Sequence, residues 1–215
     1  MNRPAVVGIF AHPDDESMGP GGTIAKLAKT HDVYLICATQ GEKGGSGKNL
    51  GKRRYGELLK AGQILGVKQI FGFKFPDGGL AKNQDQNLTT EFEAVLKKLA
   101  PQILITFEPR GLTGHPDHIT ITKVCLSLFN SLPTVQKLML YCMSSNQRKL
   151  MTNYFISVPP GYSKSQVDLV ENVNATWAKR KKAIACHQSQ KSDVERVLTE
   201  LDLLPAEEYF LIHTK

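Results

Sequence analysis

Short apolar runs alternate with longer stretches of amphipathic spacing along this chain. The runs are rich in Val, Ile and Phe, and they predict strands at residues 5–11, 33–39, 69–73, 103–107 and 138–143. Between them, apolar residues at helical spacing predict helices at residues 23–29, 50–65, 90–99 and 117–130. Strands that are apolar along their whole length are typical of parallel sheets buried on both faces. The alternation therefore predicts an α/β fold of βαβ units, with helices on both sides of a parallel sheet.

The pattern is less regular in the last third of the chain. A strand is predicted at residues 154–158 and a long helix at residues 165–187. Residues 41–51 are rich in Gly, Lys and Ser, which predicts a flexible loop rather than a linker between domains. Because the 215 residues contain no repeat and no linker-like segment, we expect one domain over residues 1–215.

A repeated tripeptide follows two of the predicted strands. His-Pro-Asp occurs at residues 12–14, after the first strand, and at residues 115–117, after the fourth. The next residue is Asp15 in the first copy and His118 in the second, so each copy offers a further metal-binding group three residues after its His. Ligands of parallel α/β sheets bind beyond the carboxyl ends of the strands. We therefore expect the two copies to meet at one cleft.

These residue types suit a catalytic metal site. Two His and one carboxylate can hold a zinc ion that keeps one position for water and lowers the pKa of that water to about 7. An adjacent carboxylate that does not bind the metal can accept the proton. A single His-Pro-Asp is more often a loop whose Asp caps a helix, but two copies after separate strands favour a metal site. The candidate residues are His12, Asp14, Asp15, His115, Asp117 and His118.

Two other functions stay open at this point. Fe(II) oxygenases also use two His and one carboxylate, although only a hydrolase needs a free carboxylate such as Asp14 beside them. Nucleic-acid binding is the second, because 27 Lys and Arg against 20 Asp and Glu give a net charge of +7, with a basic cluster at residues 179–182. Without a recognised binding motif, we interpret that cluster as a solvated helix face and expect no nucleic-acid partner.

Two adjacent arginines differ in their helical environment. Arg54 lies on an apolar stripe with Leu58 and Leu65, whereas Arg53 shares a polar stripe with Glu57. An arginine on an apolar face needs a partner, because burying its charge alone is costly. That partner is a carboxylate, or an anionic or hydroxyl-rich substrate in the cleft, unless the side chain reaches out to solvent.

Three features predict a cytoplasmic protein. The four Cys are scattered without a Cys-x-x-Cys pair, which favours reduced thiols. The uninterrupted apolar runs are too short for a transmembrane helix. The first residues lack the pattern of a signal peptide. The sequence leaves the oligomeric state open, a homo-oligomer included.

Together the motifs resemble those of the LmbE-like (PIG-L) de-N-acetylase family. The resemblance rests on residues 7–16 (VGIFAHPDDE), on residues 21–23 and on residues 115–118 (HPDH). Weaker similar blocks occupy residues 39–42, 54–58, 76–80 and 183–190. The resemblance implies a Rossmann-like three-layer sandwich with a mostly parallel sheet. It also implies a zinc-dependent amidohydrolase that removes the acetyl group from an N-acetylglucosamine-type sugar conjugate.

The resemblance also implies roles for the metal-binding residues. Carried over to this sequence, it makes His12, Asp15 and His118 the ligands of Zn²⁺, with Fe²⁺ or another divalent ion as alternatives. It makes Asp14 the general base. The implied substrate is a small N-acetylated sugar conjugate, which is hydrolysed to acetate and a free amine.

The remaining implied roles concern the substrate. His115, oriented by Asp117, would stabilise the oxyanion or protonate the leaving amine, and Arg54 would contact the substrate. The sequence departs from the family pattern in residues 42–51, an extended Gly-, Lys- and Ser-rich loop at the mouth of the cleft, where such loops shape the substrate pocket. His187 ends the last predicted helix, where it either caps that helix or reaches the cleft.

Overall fold

The computed structural model describes residues 3–82, 85–151 and 158–215. The strands in these ranges are β1 (Ala5–Phe10), β2 (Asp32–Thr39), β3 (Gln69–Phe75), β4 (Ile103–Phe107), β5 (Lys137–Cys142), β6 (Leu169–Asn172) and β7 (Glu207–Thr214). The α-helices are α1 (Asp15–Met18), α2 (Gly21–Leu27), α3 (Leu50–Leu65), α4 (Asp85–Leu99), α5 (Gly111–Gly114), α6 (Pro116–Ser131), α7 (Ser145–Leu150), α8 (Asn174–Ile184) and α9 (Lys191–Asp202).

The described strands form one sheet in the order β3-β2-β1-β4-β5-β7-β6. Strands β1 to β5 are parallel, whereas β7 is antiparallel to both β5 and β6. The central strand β1 pairs with β2 on one side and with β4 on the other, so the strand order reverses between β1 and β4. In open α/β sheets the crevice at such a reversal is the usual place for a ligand.

Two apolar cores lie on opposite faces of the sheet, because successive strand residues point to opposite sides. In β1, Val7 and Ile9 belong to the core covered by α4 and α6, which contains Phe92 and Ile121. The neighbouring residues Val6 and Phe10 belong to the core covered by α2, α3 and α8. The predicted three-layer sandwich with a mostly parallel sheet is therefore confirmed.

The predicted helix at residues 165–187 is wrong in its first half. A short 3₁₀ turn at Lys164–Gln166 and the strand β6 occupy that half, and α8 begins only at Asn174. The side chain of Asn172 accepts a hydrogen bond from the N–H of Asn174 at 3.1 Å, which separates the strand from the helix. The strand β7, which pairs with β6, was not predicted from the sequence. The predicted strand at residues 154–158 lies outside the described residues except for residue 158.

The basic cluster at residues 179–182 is only partly a solvated helix face, so the prediction from the sequence is wrong for Arg180. Arg180 is 1% exposed, and its Nη1 lies 3.1 Å from Glu208 Oε1. Its other nitrogens donate to the carbonyl groups of Ser17 and Met18. A buried arginine in this position fixes α8 against α1, and it removes one charge from the exposed basic surface. In the described part of the chain, no helix combines the length and the apolar character needed to cross a membrane.

Candidate active site

The two His-Pro-Asp motifs meet at the crevice between β1 and β4. The first follows the end of β1 at Phe10, and the second begins α6, where Pro116 takes the first helical position. The rings of His12 and His118 come within 5.2 Å of each other, centroid to centroid, although the residues are distant in sequence. Topology alone accounts for this proximity, because the carboxyl ends of neighbouring parallel strands lie at one edge of the sheet.

The side chains of His12, Asp15 and His118 lie close together, with Asp15 facing the two imidazoles through different oxygens. The distance from His12 Nδ1 to His118 Nε2 is 3.2 Å, and that from His118 Nε2 to Asp15 Oδ1 is also 3.2 Å. Asp15 Oδ2 lies 3.6 Å from His12 Nδ1. Tetrahedral ligands of a zinc ion stand about 3.4 Å apart, given zinc–ligand bonds of about 2.0–2.1 Å. The pairs His12–His118 and Asp15–His118 have this spacing, so the three buried residues are candidate ligands of a divalent cation such as zinc.

Other atoms fix the orientation of the two imidazoles. Nδ1–H of His118 donates to the carbonyl of Gly111 at 3.1 Å, which leaves Nε2 free to bind a metal. Nε2–H of His12 points at Asp77 Oδ1 (3.1 Å) and Asp117 Oδ2 (3.3 Å), which leaves Nδ1 free. Carboxylates and carbonyls commonly hold the distal nitrogen of a metal-binding His in this way, and they set its tautomer.

Two alternative groupings of metal-binding atoms occur in the described residues. A nitrogen of His115 lies within 4.8 Å of nitrogens of His12 and His118, so His115 and Asp15 compete for the third place. Ligand atoms of His12, Asp77 and Asp117 also lie within 4.8 Å of one another. The two oxygens of Asp117, however, already accept the N–H groups of Gly78 (2.7 Å) and Leu80 (3.1 Å). Asp117 therefore suits holding the imidazole of His12 better than binding a cation.

Asp77 is a site residue that the sequence reasoning did not identify. One of its oxygens faces His12, and the other accepts the backbone N–H of Lys43 at 2.8 Å. Burial alone would raise the pKa of Asp77, but the hydrogen bond and charge of His12, with the N–H of Lys43, lower it to about 2. Asp77 thus joins His12 to the loop at residues 42–51. The sequence signal that could have identified Asp77 was its position in Pro-Asp-Gly, shortly after a predicted strand.

We expect Asp77→Asn to weaken zinc binding about 10- to 100-fold, a typical cost of losing a group that orients a metal ligand. The amide has one oxygen, so it can accept from His12 Nε2–H or from the N–H of Lys43, but not from both. Competition with a fluorescent chelator measures the affinity. The control is Asp202→Asn, which makes the same change at an exposed residue that pairs with Lys181. Equal affinities in the three proteins would contradict the orienting role of Asp77.

Asp14 lies beside the three candidate ligands and has its own partner. Its Oδ2 accepts from Arg54 Nη2 at 2.9 Å. Burial raises the pKa of Asp14 to about 6, although the charge of Arg54 acts in the opposite direction. A carboxylate with a pKa close to neutrality is suited to accept and return a proton.

Arg54 is 4% exposed, so it does not reach out to solvent. In addition to Asp14, its guanidinium donates to the carbonyl groups of Pro13 and Gly41, each at 2.8 Å. A Cβ atom on Gly41 would lie 2.5 Å from this guanidinium, and the φ of Gly41 is +64°, so a glycine is required there. The partner that the sequence left open is therefore Asp14 together with two backbone carbonyls. Arg54 also lines the cavity described below.

His115 is half-buried and contacts Asp117 through the backbone. Its Nδ1 accepts the N–H of Asp117 at 3.2 Å and so caps α6, whereas the Asp117 carboxylate points to His12. Burial, together with the charges of His118 and His12, lowers the pKa of His115. A neutral imidazole whose Nδ1 accepts a hydrogen bond carries its proton on Nε2, where it can donate.

A cavity of about 420 Å³ opens over this cluster. Its lining includes His12, Asp14 and His115, together with Lys43 from the loop and Arg196 from α9. The volume lies within the range of small-molecule binding sites. The elements around the cleft can thus hold a ligand of a size comparable to a sugar conjugate next to the candidate metal ligands.

The profile of the family described as "PIG-L: GlcNAc-PI de-N-acetylase" matches residues 7–129. A 1D-myo-inositol 2-acetamido-2-deoxy-alpha-D-glucopyranoside deacetylase of Rhodococcus jostii is 33% identical over 153 residues, which cover 58% of this chain and 52% of the relative. A probable N-acetylglucosaminyl-phosphatidylinositol de-N-acetylase of Schizosaccharomyces pombe is 27% identical over 195 residues, or 87% of this chain and 71% of the relative. The chain spans about half the length of the first of these relatives.

Solved structures share the fold. The N,N'-diacetylchitobiose deacetylase of Pyrococcus horikoshii superposes with a TM-score of 0.78 and 21% identity, over 99% of this chain and 84% of that one. GalB, the 4-carboxy-2-hydroxymuconate hydratase of Pseudomonas putida, superposes with a TM-score of 0.72 and 15% identity, over 99% and 97% of the two chains. Because a hydratase and a deacetylase both have this architecture, these likenesses establish the fold and not the reaction.

Proposed function

This chain belongs to the PIG-L family, and we propose that it is a metal-dependent N-deacetylase. The proposed substrate is a small N-acetylglucosamine-type sugar conjugate, from which hydrolysis of the acetamide C–N bond releases acetate and a free amine. One observation supports this proposal above the others. His118 Nε2 lies at zinc-ligand spacing from both His12 Nδ1 and Asp15 Oδ1, and the mostly buried carboxylate of Asp14 lies next to them without belonging to the same ligand set.

In this proposal His12, Asp15 and His118 hold the metal ion. A bound Zn²⁺, or another divalent ion, supplies a Lewis acid that polarises the acetamide carbonyl and lowers the pKa of a water molecule. Asp77, Asp117 and Gly111 hold the two imidazoles in the tautomers that expose a lone pair. The chain thereby presents two imidazole nitrogens and one carboxylate, which is the donor set of many catalytic zinc sites.

Asp14 acts as the general base. Its carboxylate accepts a proton from the attacking water while the water oxygen forms a bond to the carbonyl carbon. The same proton can pass to the nitrogen when the C–N bond breaks, so that acetic acid and a neutral amine leave, and the acid then ionises to acetate in water. Arg54 holds the Asp14 carboxylate through its Nη2. Because the other Nη contacts of Arg54 go to backbone carbonyls, positioning Asp14 is its first role, and a substrate contact is an additional one.

His115 completes the proposed machinery from the other side of the cleft. With Nδ1 held by the N–H of Asp117, its Nε2–H can donate to the carbonyl oxygen as that oxygen becomes negative. The carboxylate of Asp117 acts on His12 rather than on His115. In this proposal Asp117 therefore supports the metal-binding side of the site by its side chain and supports His115 only by its backbone.

Acetate release from a panel of N-acetylated sugar conjugates tests the proposed function. We expect the zinc-loaded protein to release acetate and free amine in equal amounts from at least one conjugate. Treatment with a chelator should lower the rate by at least about 100-fold, because water is then no longer activated, and added zinc should restore it. Oxygen consumption without acetate would instead support an iron-dependent oxygenase. A loaded protein that releases no acetate from any conjugate would contradict the proposal.

A further inference from the structure

Asp14 has a backbone conformation that is rare for a residue with a side chain. Its φ is 118° and its ψ is −26°, in the left-handed region where glycine is favoured. This conformation joins the end of β1 to α1 and directs the Asp14 side chain toward Arg54. A strained backbone conformation persists only where surrounding contacts hold it. Such contacts must therefore act on the backbone of Asp14 itself.

The carbonyl of Asp14 accepts hydrogen bonds from the N–H groups of Ser17 and Met18, whereas its N–H is held by Glu16. The N–H of Asp14 donates to Glu16 Oε2 at 3.0 Å. The other oxygen of Glu16, Oε1, lies 2.9 Å from His187 Nε2. Glu16 and His187 are at most 1% exposed, so water does not compete for these contacts. Both oxygens of one buried carboxylate are thus used, one on Asp14 and the other on His187.

The protonation of His187 follows from its partners. Its Nδ1 is buried and has no hydrogen-bond partner among the described residues. Nε2 faces a carboxylate, which accepts hydrogen bonds, so Nε2 carries a proton and donates it to Glu16. An imidazole in this state orients Glu16 in a way that an apolar side chain of the same size does not.

The segment that carries His187 is itself anchored to the site. The backbone N–H of Ser189 donates to Glu57 Oε1 on α3 at 2.9 Å. The side chain of Gln190 donates to the carbonyl of Gly44, in the loop at the mouth of the cleft, at 3.0 Å. This segment joins α8 to α9 and lies beyond residues 7–129, which the family profile matches. The last third of the chain therefore reaches the catalytic motif by a route that the matched region does not contain.

We propose that His187 is a positioning residue for Asp14. Through Glu16 it holds the Asp14 backbone in the left-handed conformation, while Arg54 holds the carboxylate from the opposite side. Besides the hydrogen bonds to its carbonyl within α1, Asp14 is thus held at its N–H and at its carboxylate, and the direction of the carboxylate in the cavity depends on both of these contacts. The kinetic part of this inference rests on the proposed deacetylase function, whereas the structural part does not.

Two amide substitutions of His187 form a matched pair. The nitrogen of the Gln side chain can take the place of Nε2 and donate to Glu16, whereas the shorter Asn side chain cannot reach it. We expect His187→Asn to lower kcat by about 10- to 100-fold, with KM changed by less than about threefold and with zinc still bound, as a misplaced catalytic group would produce. We expect His187→Gln to recover most of the wild-type kcat.

Leu96→Ala controls for a general loss of stability. Leu96 is fully buried in α4 on the opposite face of the sheet, and it has no contact with the cleft. The truncation should lower Tm and leave kcat unchanged. If kcat of His187→Asn and of Leu96→Ala fell together in proportion to Tm, His187 would be a core residue only, and the proposal would be overturned.

Two measurements decide the inference without any activity. By NMR, amide hydrogen exchange of Asp14, measured relative to that of Ile9 in β1, should become at least about tenfold faster in His187→Asn and stay slow in His187→Gln. In the wild-type protein, ¹⁵N shifts of His187 should show a proton on Nε2. Unchanged protection of Asp14 in His187→Asn, or an Nε2 without a proton, would overturn the proposal. If the wild-type protein deacetylates no conjugate, the proposed function fails while these two results still stand.

Discussion

Replacing Asp14 by Asn should lower kcat of the zinc-loaded protein by about 100- to 10,000-fold, the usual contribution of a general base, while zinc stays bound. The amide has nearly the shape of the carboxylate but does not accept a proton from water. Its oxygen can still accept the hydrogen bond from Arg54 Nη2. Asn also tolerates the left-handed φ of 118° better than most residues, so the backbone should not change. Initial rates of acetate release and metal content by mass spectrometry measure the two effects.

The result distinguishes two roles for Asp14. A low kcat with one zinc per chain supports the general base. Loss of zinc would make Asp14 a metal ligand, and an unchanged kcat would exclude both roles. Arg53→Ala is a suitable control, because Arg53 neighbours Arg54 in sequence but is mostly exposed and pairs with Glu57 rather than with Asp14. We expect that control to retain the wild-type kcat.

The sequence was sufficient for the features that depend on topology. The first and fourth predicted strands became the neighbours β1 and β4, and the polar residues after them lie at one edge of the sheet. Neighbouring parallel strands place their carboxyl ends together whatever the details of packing, so the meeting of His12 and His118 follows from strand order. The fold class needed only the spacing of apolar residues, which the two cores on opposite faces reflect.

Contacts between distant side chains were not accessible in this way. Asp77 reaches His12 across the edge of the sheet, and His187 reaches Glu16 from the end of the chain. No periodicity relates such residues, because each contact depends on the packing of two elements and on one rotamer. The sequence placed Asp77 and His187 in blocks that resemble the family, and it left open whether His187 caps a helix or reaches the cleft, but it revealed neither partner.

The predictions of a solvated Arg180 and of a helix in place of β6 were wrong because both depended on local sequence patterning. A run of basic residues usually marks a solvated helix face, but Glu208 on β7 gives Arg180 a buried partner. That partner lies on a strand that the sequence pattern did not reveal. Likewise, β6 consists of four residues, which is too short for an alternating pattern to distinguish it from the start of a helix. Both errors come from the antiparallel edge of the sheet, where local patterning is weakest.

Replacing His12 by Ala should remove stoichiometric zinc. Loss of a metal ligand should cost more than the loss of an orienting group, so we expect the affinity to fall by more than about 100-fold. The substitution also leaves Asp77 and Asp117 facing each other without the imidazole between them, and circular dichroism must show that the variant is folded. His31→Ala is the matched control, since His31 lies outside the cavity and contacts Thr30.

Zinc binding by His115→Ala decides whether Asp15 or His115 is the third ligand beside His12 and His118. If His12, Asp15 and His118 bind the ion, His115→Ala keeps one zinc per chain and loses activity, because only a hydrogen-bond donor to the substrate is removed. If His115 takes the third place instead, His115→Ala loses zinc as His12→Ala does, and Asp15→Asn keeps it. The first pattern is the expected one, since Asp15 lies 3.2 Å from His118 Nε2, whereas His115 uses its Nδ1 to cap α6.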